Sequence, residues 1–278
     1  MKKALTLSIV IPAFNEESHL KQCLDSIANQ TVMPDEVIVV DNQSTDKTVD
    51  VAKKYPFVTL LSEKQQGVRY ARDTGFHAAS CDIIGRIDAD SQLSPSWSEQ
   101  VLAIFSDKKI GAASGPCYYY DMPLKKAGLL IDRAIRRGLY SLDDAPILFG
   151  SNMAVRKSAW DKVHPLLCTE GEFFEDYDLT IHLRKIHEKI VYDEDMVAGV
   201  SSRRLDDDPK TFRHTMNMHT HTFAMHGMTS PIAKGGKYLY VAIYGPLKLV
   251  RKVYDPESGR LSLSKAVQKT EPRPSSNI

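Results

Sequence analysis

Residues 7–11 form an almost unbroken apolar run, Leu-Ser-Ile-Val-Ile, the pattern of a strand buried on both faces of a parallel sheet. Behind it Leu20, Cys23, Leu24, Ile27 and Ala28 recur at helical spacing, which predicts a helix with one apolar stripe. Residues 36–40 predict a second buried strand. Ser44 or Thr45 can cap a following helix that runs to Tyr55 and is stopped by Pro56. Residues 57–61 predict a third strand, followed by a small-residue helix around Ala71, Gly75, Ala78 and Ala79. Residues 83–87 predict a fourth. Alternation of strand and helix in this order specifies an α/β fold around a parallel sheet.

The second half is less regular. Residues 97–105 predict a helix and 110–114 a strand. Residues 124–137 are amphipathic, with Leu124, Gly128, Ile131 and Ile135 on one face. Residues 147–155 read as extended across Gly150-Ser151-Asn152. A helix after Glu175-Asp176 turns Leu179, Leu183 and Ile186 inward. Asp208 followed by Pro209 is an N-cap and first-turn pair for a helix ending near Met225. The tail 266–278 has the composition of a disordered segment.

Composition narrows the picture modestly. At 278 residues, 42% hydrophobic and 26% charged, the chain can bury a sizeable core. A net charge of +1 gives no electrostatic footprint for nucleic acid. Cys23, Cys81, Cys117 and Cys168 show no CxxC spacing, which suits core thiols in a reducing cytoplasm. The N-terminal residues lack the features of a targeting segment. No run approaches the ~18 apolar residues of a membrane-spanning helix. The stretch 234–252 mixes Tyr238, Tyr240 and Tyr244 with lysines and arginine. It reads equally as a peripheral membrane contact or as an arm packed on the rest of the chain.

In open α/β sheets ligands bind beyond the carboxyl ends of the strands. Three polar clusters fall there: Pro12-Ala13-Phe14-Asn15-Glu16, Asp41-Asn42-Gln43-Ser44 and Asp88-Ala89-Asp90. The coincidence on one rim is the signal, since each alone is an ordinary turn or cap. Two carboxylates one residue apart repel unless a cation joins them, and hard oxygen ligands favour Mg²⁺ or Mn²⁺. Glu175-Asp176 opens a predicted helix, where the dipole favours an anionic side chain. Asp176 is placed to act as a general base, while the plainer reading is a helix cap. The histidines at 214–226 do not form one site, because His219 and His226 project with Phe212, Met216 and Phe223 while His214 and His221 project oppositely. His219 or His226 is a candidate third metal ligand, against the plainer reading of a core histidine.

Taken in order, Ile-Val-Ile-Pro-Ala-Phe-Asn-Glu-Glu, Val-Ile-Val-Val-Asp-Asn-Gln-Ser-Thr-Asp, Gly67 with Ala71-Arg72-Asp73-Thr74-Gly75, Asp-Ala-Asp and Glu-Asp resemble the family 2 glycosyltransferases over residues 7–205. The resemblance implies a GT-A fold, a central mostly parallel sheet flanked by helices. It implies a nucleotide-sugar donor (a UDP-sugar favoured), Mn²⁺ or Mg²⁺, and inversion at the anomeric carbon. By the same likeness Pro12, Ala13, Phe14, Glu16, Asp41, Arg72, Asp88 and Ala89 would bind the nucleotide sugar, and Asp90 with Asp88 the metal. Asp176 would be the base, with Glu175 and Gly150, Ser151 and Asn152 on the acceptor side. The expected organisation is a catalytic domain at 1–205, with a nucleotide half to about 115 and an acceptor half beyond it. A helical C-terminal arm at 206–265 and the tail complete it.

Two departures refine this expectation. Arg72-Asp73 replaces the usual arginine-asparagine pair, which weakens the Arg72 assignment. The Gln-x-x-Arg-Trp signature of processive synthases is absent, and Ser201-Ser202-Arg203-Arg204 stands in that region. Single-sugar transfer follows, with Arg203 or Arg204 a candidate for the diphosphate. The acceptor would be a glycan or lipid-linked sugar in cell-envelope or polysaccharide synthesis, met in the cytoplasm or at the inner membrane face. A sugar nucleotidyltransferase would need a glycine-rich basic loop after the first strand, and a dehydrogenase GxGxxG; residues 12–16 have neither. A degenerate transferase that binds without turnover is the non-enzymatic alternative, and both acidic motifs being intact argues against it.

Overall fold

A computed structural model describes residues 4–142, 146–228 and 231–262. The tail expected to be disordered lies outside them. The chain runs β1 (Leu7–Ala13), α1 (Leu20–Ala28), β2 (Glu36–Asp41), α2 (Thr48–Ala52), β3 (Val58–Ser62), α3 (Val68–Ala78) and β4 (Ile83–Arg86). It continues through β5 (Gln92–Leu93), α4 (Trp97–Phe105), β6 (Ile110–Ser114), β7 (Cys117–Tyr119), α5 (Lys125–Leu142), β8 (Met153–Arg156) and α6 (Lys157–Val163). Then follow α7 (Glu175–Lys185), β9 (Lys189–Tyr192), β10 (Ala198–Val200), α8 (Pro209–Met225), α9 (Pro231–Val253) and a small hairpin, β11 (Tyr254–Asp255) with β12 (Arg260–Leu261).

The main sheet has the order β3-β2-β1-β4-β8-β6-β9, parallel except where β8 enters between β4 and β6. The continuous apolar runs have the expected consequence. Ile9, Ile11, Val37 and Val39 belong to one buried cluster, while Val10, Ile38 and Val40 belong to another. Alternate side chains thus supply a core on each face of the sheet. Gly75 lets α3 lie close on this sheet, because a Cβ there would collide with Val10. Between β1 and β4 the strand order reverses, so the ligand cleft expected beyond their carboxyl ends falls at this switch point. A second sheet, β5-β10-β7, lies beside that cleft and joins the segment after Asp90 to the segment before Arg203.

One local expectation needs correction. Ser44 and Thr45 do not cap a helix to Tyr55; α2 is five residues long. Instead Ser44 Oγ accepts the Asn15 N–H at 3.0 Å and Asn15 Oδ1 accepts the Thr45 N–H at 2.7 Å, which locks the first two rim loops together. Asn15 adopts φ 53° in doing so, a conformation asparagine tolerates better than most residues. The apolar stripe of α5 faces outward, with Leu124 79% and Ile131 60% exposed. Its polar face does the docking: Asp132 accepts the Cys117 N–H, Arg133 bonds the Glu194 carbonyl, and Arg136 lies 3.8 Å over the Phe149 ring.

The arm behaves as its caps predict. Asp208 accepts the Lys210 and Thr211 N–H groups at the start of α8. Tyr244, Leu247 and Val250 of α9 pack against Phe212, Met216, Leu205 and Met122. Thus one face of the 234–252 stretch is an intramolecular contact, while Tyr238, Val241, Ile243 and Leu249 stay exposed. No helix among the described residues is long and apolar enough to cross a membrane.

Candidate active site

Arg86 ends β4 inside the protein, only 3% exposed. Its Nη2 lies 3.0 Å from Asp88 and 3.0 Å from Glu175. One guanidinium therefore joins two acidic motifs that are remote in sequence. Burial disfavours its charge, yet Asp88, Glu175 and Asp176 outweigh this and hold its pKa above the ordinary arginine value. Gly150 makes the arrangement possible, since a Cβ at that position would fall on the Arg86 guanidinium. Arg86 was not among the residues expected at the site; a lone arginine in the apolar strand Ile-Ile-Gly-Arg-Ile was the available signal.

Asp176 sits in the first turn of α7, half-buried. Its Oδ2 accepts the Gly150 N–H at 2.9 Å and Oδ1 its neighbour's N–H from Tyr177 at 2.9 Å. Burial and then the Glu175 charge push its pKa up to about 7, against the opposing pull of Arg86 and the Gly150 N–H. The carboxyl is thus poised near neutrality, the range suited to a general base. Glu175 is 6% exposed and faces Arg86.

The second cation of the cleft is Arg203. Its Nε lies 2.8 Å from Asp90, and its Nη2 pairs with Glu16. Burial works against this charge too, but Asp90 and Glu16 prevail and raise its pKa. The pairing of β5 with β10 brings the two segments together. Arg251 of α9 steadies the turn: it bonds Asp121, Ser202 and Asp206, and Asp121 also accepts the Ser202 N–H. Arg251 and Asp121 carry no motif that sequence alone could single out. Arg204 is half-buried on the same turn, and after burial its charge is the second cause that lowers the pKa of His219.

The remaining expected residues divide. Pro12, Ala13 and Phe14 lead from β1 into the rim loop, and Glu16 is 8% exposed. Asp41 ends β2, also 8% exposed, and accepts the Ser44 N–H at 3.3 Å. Next to it Asn42, absent from the expected set, holds Gly67 through a 2.7 Å bond and the Glu63 and Gln65 carbonyls. Asp88 is 39% exposed and Ala89 buried beneath it.

Arg72 is not open to a nucleotide base. It is 1% exposed, pairs with Asp73 and donates to the Glu175 carbonyl at 2.9 Å, so it supports α7 from below. Asn152 is likewise not on the acceptor side. It is fully buried, accepts the Trp97 indole N–H at 2.8 Å and donates to the Pro116 and Met196 carbonyls. Asn152→Ala removes all three bonds and leaves buried partners unmet. We expect a loss of about 3 kcal/mol, measured as a lower urea midpoint. Ser151 is half-buried, with its carbonyl accepting from Ser91 at 3.2 Å.

His219 and His226, the candidate third metal ligands, have their recorded polar contacts away from Asp88 and Asp90. His219 bonds the Tyr177 hydroxyl at 2.9 Å and packs on Phe174; burial lowers its pKa to about 4. His226 lies 2.8 Å from Asp178, in a cluster separate from the Asp88-Ala89-Asp90 loop. Asp88 and Asp90 themselves offer the hard oxygens that Mg²⁺ or Mn²⁺ require. Each is paired with an arginine, Asp88 with Arg86 and Asp90 with Arg203.

Comparison with known proteins identifies the family of the chain. The family model "Glycosyl transferase family 2" matches residues 8–163, more than half of the chain. The chain is 29% identical over 117 residues to the uncharacterized glycosyltransferase YibD of Escherichia coli, covering 41% of this chain and 34% of that one. It is 29% identical over 199 residues to E. coli chondroitin synthase, covering 67% and 27%. The chain spans about a third of the length of the first curated relatives it matches. Among solved structures, the mannosyltransferase PcManGT of Pyrobaculum calidifontis, in complex with GDP-Man and Mn²⁺, superposes with TM-score 0.66 at 19% identity, covering 95% of this chain and 78% of that one. Glucosyl-3-phosphoglycerate synthase of Mycobacterium tuberculosis gives TM-score 0.59 at 20% identity, covering 82% of each chain. The chain has the GT-A fold of these structures and belongs to glycosyltransferase family 2.

Proposed function

We propose that the protein transfers one sugar from a nucleotide-sugar donor, a UDP-sugar favoured, to a hydroxyl acceptor with inversion. The observation that carries this reading is the Arg86 bridge, which sets the Asp88-Ala89-Asp90 loop beside the carboxylates of Glu175 and Asp176. Pro12 to Glu16 and Asp41 line the nucleotide end of the cleft. Asp90, with Asp88, holds Mn²⁺ or Mg²⁺, and Arg203, already beside Asp90, turns to the diphosphate. When bound, the cation neutralises the leaving diphosphate as a Lewis acid. Asp176 takes the proton of the acceptor hydroxyl as its oxygen attacks the anomeric carbon and the bond to the diphosphate breaks on the opposite face. Gly150 and Glu175 border the acceptor end.

The setting we propose is cell-envelope or polysaccharide glycan synthesis, with a glycan or lipid-linked acceptor met in the cytoplasm. Similarity to a chondroitin synthase over 67% of this chain supports it. The exposed Tyr238 and Leu249 of α9 support peripheral contact with a membrane surface.

The test is a panel of UDP-, GDP- and dTDP-sugars with Mn²⁺ or Mg²⁺, read by thermal shift and nucleoside diphosphate release. One nucleotide class should raise the melting temperature, and chelation should suppress release. Stabilisation without release on any acceptor would favour the degenerate binder. No stabilisation by any nucleotide would overturn the donor assignment.

A further inference from the structure

A second group of metal-ligating side chains lies apart from the catalytic cleft. Cys168 Sγ, a carboxylate oxygen of Asp178 and ring nitrogens of His182 and His226 all fall within 4.8 Å of one another. Asp178 and His182 are one turn apart on α7, Cys168 precedes that helix, and His226 is the C-cap of α8. Asp178 Oδ1 lies 2.8 Å from His226 Nε2 and 3.4 Å from His182 Nε2, and Cys168 Sγ lies 4.0 Å from His226 Nε2. With Zn–N about 2.0 Å and Zn–S about 2.3 Å, ligand atoms of a tetrahedral zinc stand roughly 3.3–3.6 Å apart. Small rotamer changes bring this quartet to that spacing.

Two further features favour an ion. Asp178 is 1% exposed, and buried carboxylates call for a counter-charge. His182 Nε2 is buried without a hydrogen-bond partner, although it faces the same carboxylate.

We propose that Cys168, Asp178, His182 and His226 bind one structural zinc ion, which fastens α8 and the 164–174 segment to the helix bearing Asp176. Thiolate and imidazole ligands select zinc over Mg²⁺ or Mn²⁺, the opposite preference to the Asp88-Ala89-Asp90 loop. One thiolate, one carboxylate and two neutral imidazoles cancel the +2 charge, so the filled site is neutral and suited to burial. Binding releases one proton, from the Cys168 thiol to solvent. Affinity should therefore rise with pH. Coordination through His226 Nε2 moves that ring's proton to Nδ1, where Lys185 Nζ now lies 3.2 Å away. Lys185 is exposed and free to turn into solvent.

The full chain, purified under reductant, should retain about one zinc per molecule by elemental analysis after gel filtration. Exchange with Co²⁺ should give the intense visible bands of a tetrahedral site and a near-ultraviolet thiolate-to-cobalt band. Cys168→Ser should abolish the thiolate band and lower zinc retention at least tenfold, and Asp90→Asn should leave both unchanged. Removal of zinc by a chelator should lower the melting temperature of the wild type but not of Cys168→Ser. Absence of stoichiometric zinc and of a cobalt spectrum in the reduced wild type would overturn the proposal. So would zinc retention unaffected by Cys168→Ser and by His226→Gln.

Discussion

Asp176→Asn is expected to cut turnover by about 10²–10⁴-fold, the usual contribution of a positioned general base, while nucleotide binding stays close to wild type. The substitution keeps the shape and an oxygen to accept the Gly150 N–H, now at 2.9 Å, but removes the site that takes the acceptor's proton. Steady-state release of nucleoside diphosphate, with a parallel binding titration, separates the two effects. Turnover equal to wild type would remove Asp176 from the chemistry. The pH profile offers an independent check. Burial and Glu175 hold the Asp176 pKa near 7, and the base acts only when ionised. In the wild type kcat/KM should therefore fall tenfold per unit below about pH 7 and level off above it. Stability should follow the opposite course. The folded state holds this proton more tightly than the unfolded chain, whose aspartate titrates near 3.8. Its stabilising contribution is complete below about pH 4 and is lost as pH rises through 7. Asp176→Asn should accordingly melt no lower than wild type at pH 8.

Much of this could be read from sequence, and the reasons it stops are physical. Strands β1, β2 and β4 announced themselves because a strand covered on both faces has no polar alternation to confuse it. Asp208-Pro209 marked its helix start because a cap is a local interaction. In α5 the periodicity of Leu124, Ile131 and Ile135 revealed an apolar face, but periodicity does not say on which side the core lies. The answer depended on Asp132, Arg133 and Arg136 finding partners on β7, Glu194 and Phe149. Arg203 and Arg204 were indistinguishable as neighbours; the β5–β10 pairing aims Arg203 at Asp90. Gly150 and Asn152 read as one tripeptide, yet the Trp97 indole draws Asn152 into the core while Gly150 stays in the cleft. Long-range contacts decided each of these cases.

Gly150→Ala is expected to lower kcat/KM by roughly 10²-fold or more, the order that misplacing a catalytic constellation by an ångström can cost, although the residue supplies no reacting atom. A methyl group there would occupy the space of the Arg86 guanidinium. Arg86 is buried too tightly to move without breaking its 3.0 Å contacts with Asp88 and Glu175. Separating a buried pair of this kind costs about 3–5 kcal/mol, because each charge is left without its partner. The carboxylates would then repel one another, and the pull that Arg86 exerts on the Asp176 pKa would weaken. The acid limb of the pH profile should therefore move above 7, a change that a merely less stable protein would not show. Arg86→Lys should move it in the same direction, since an ammonium cannot reproduce the planar fork that faces two carboxylates at once. A Gly150→Ala variant with wild-type turnover and an unmoved acid limb would show that the bridge does not set the chemistry. If the limb moves while nucleotide affinity holds, then Arg86 is the positioning residue that makes one active site from two distant acidic motifs.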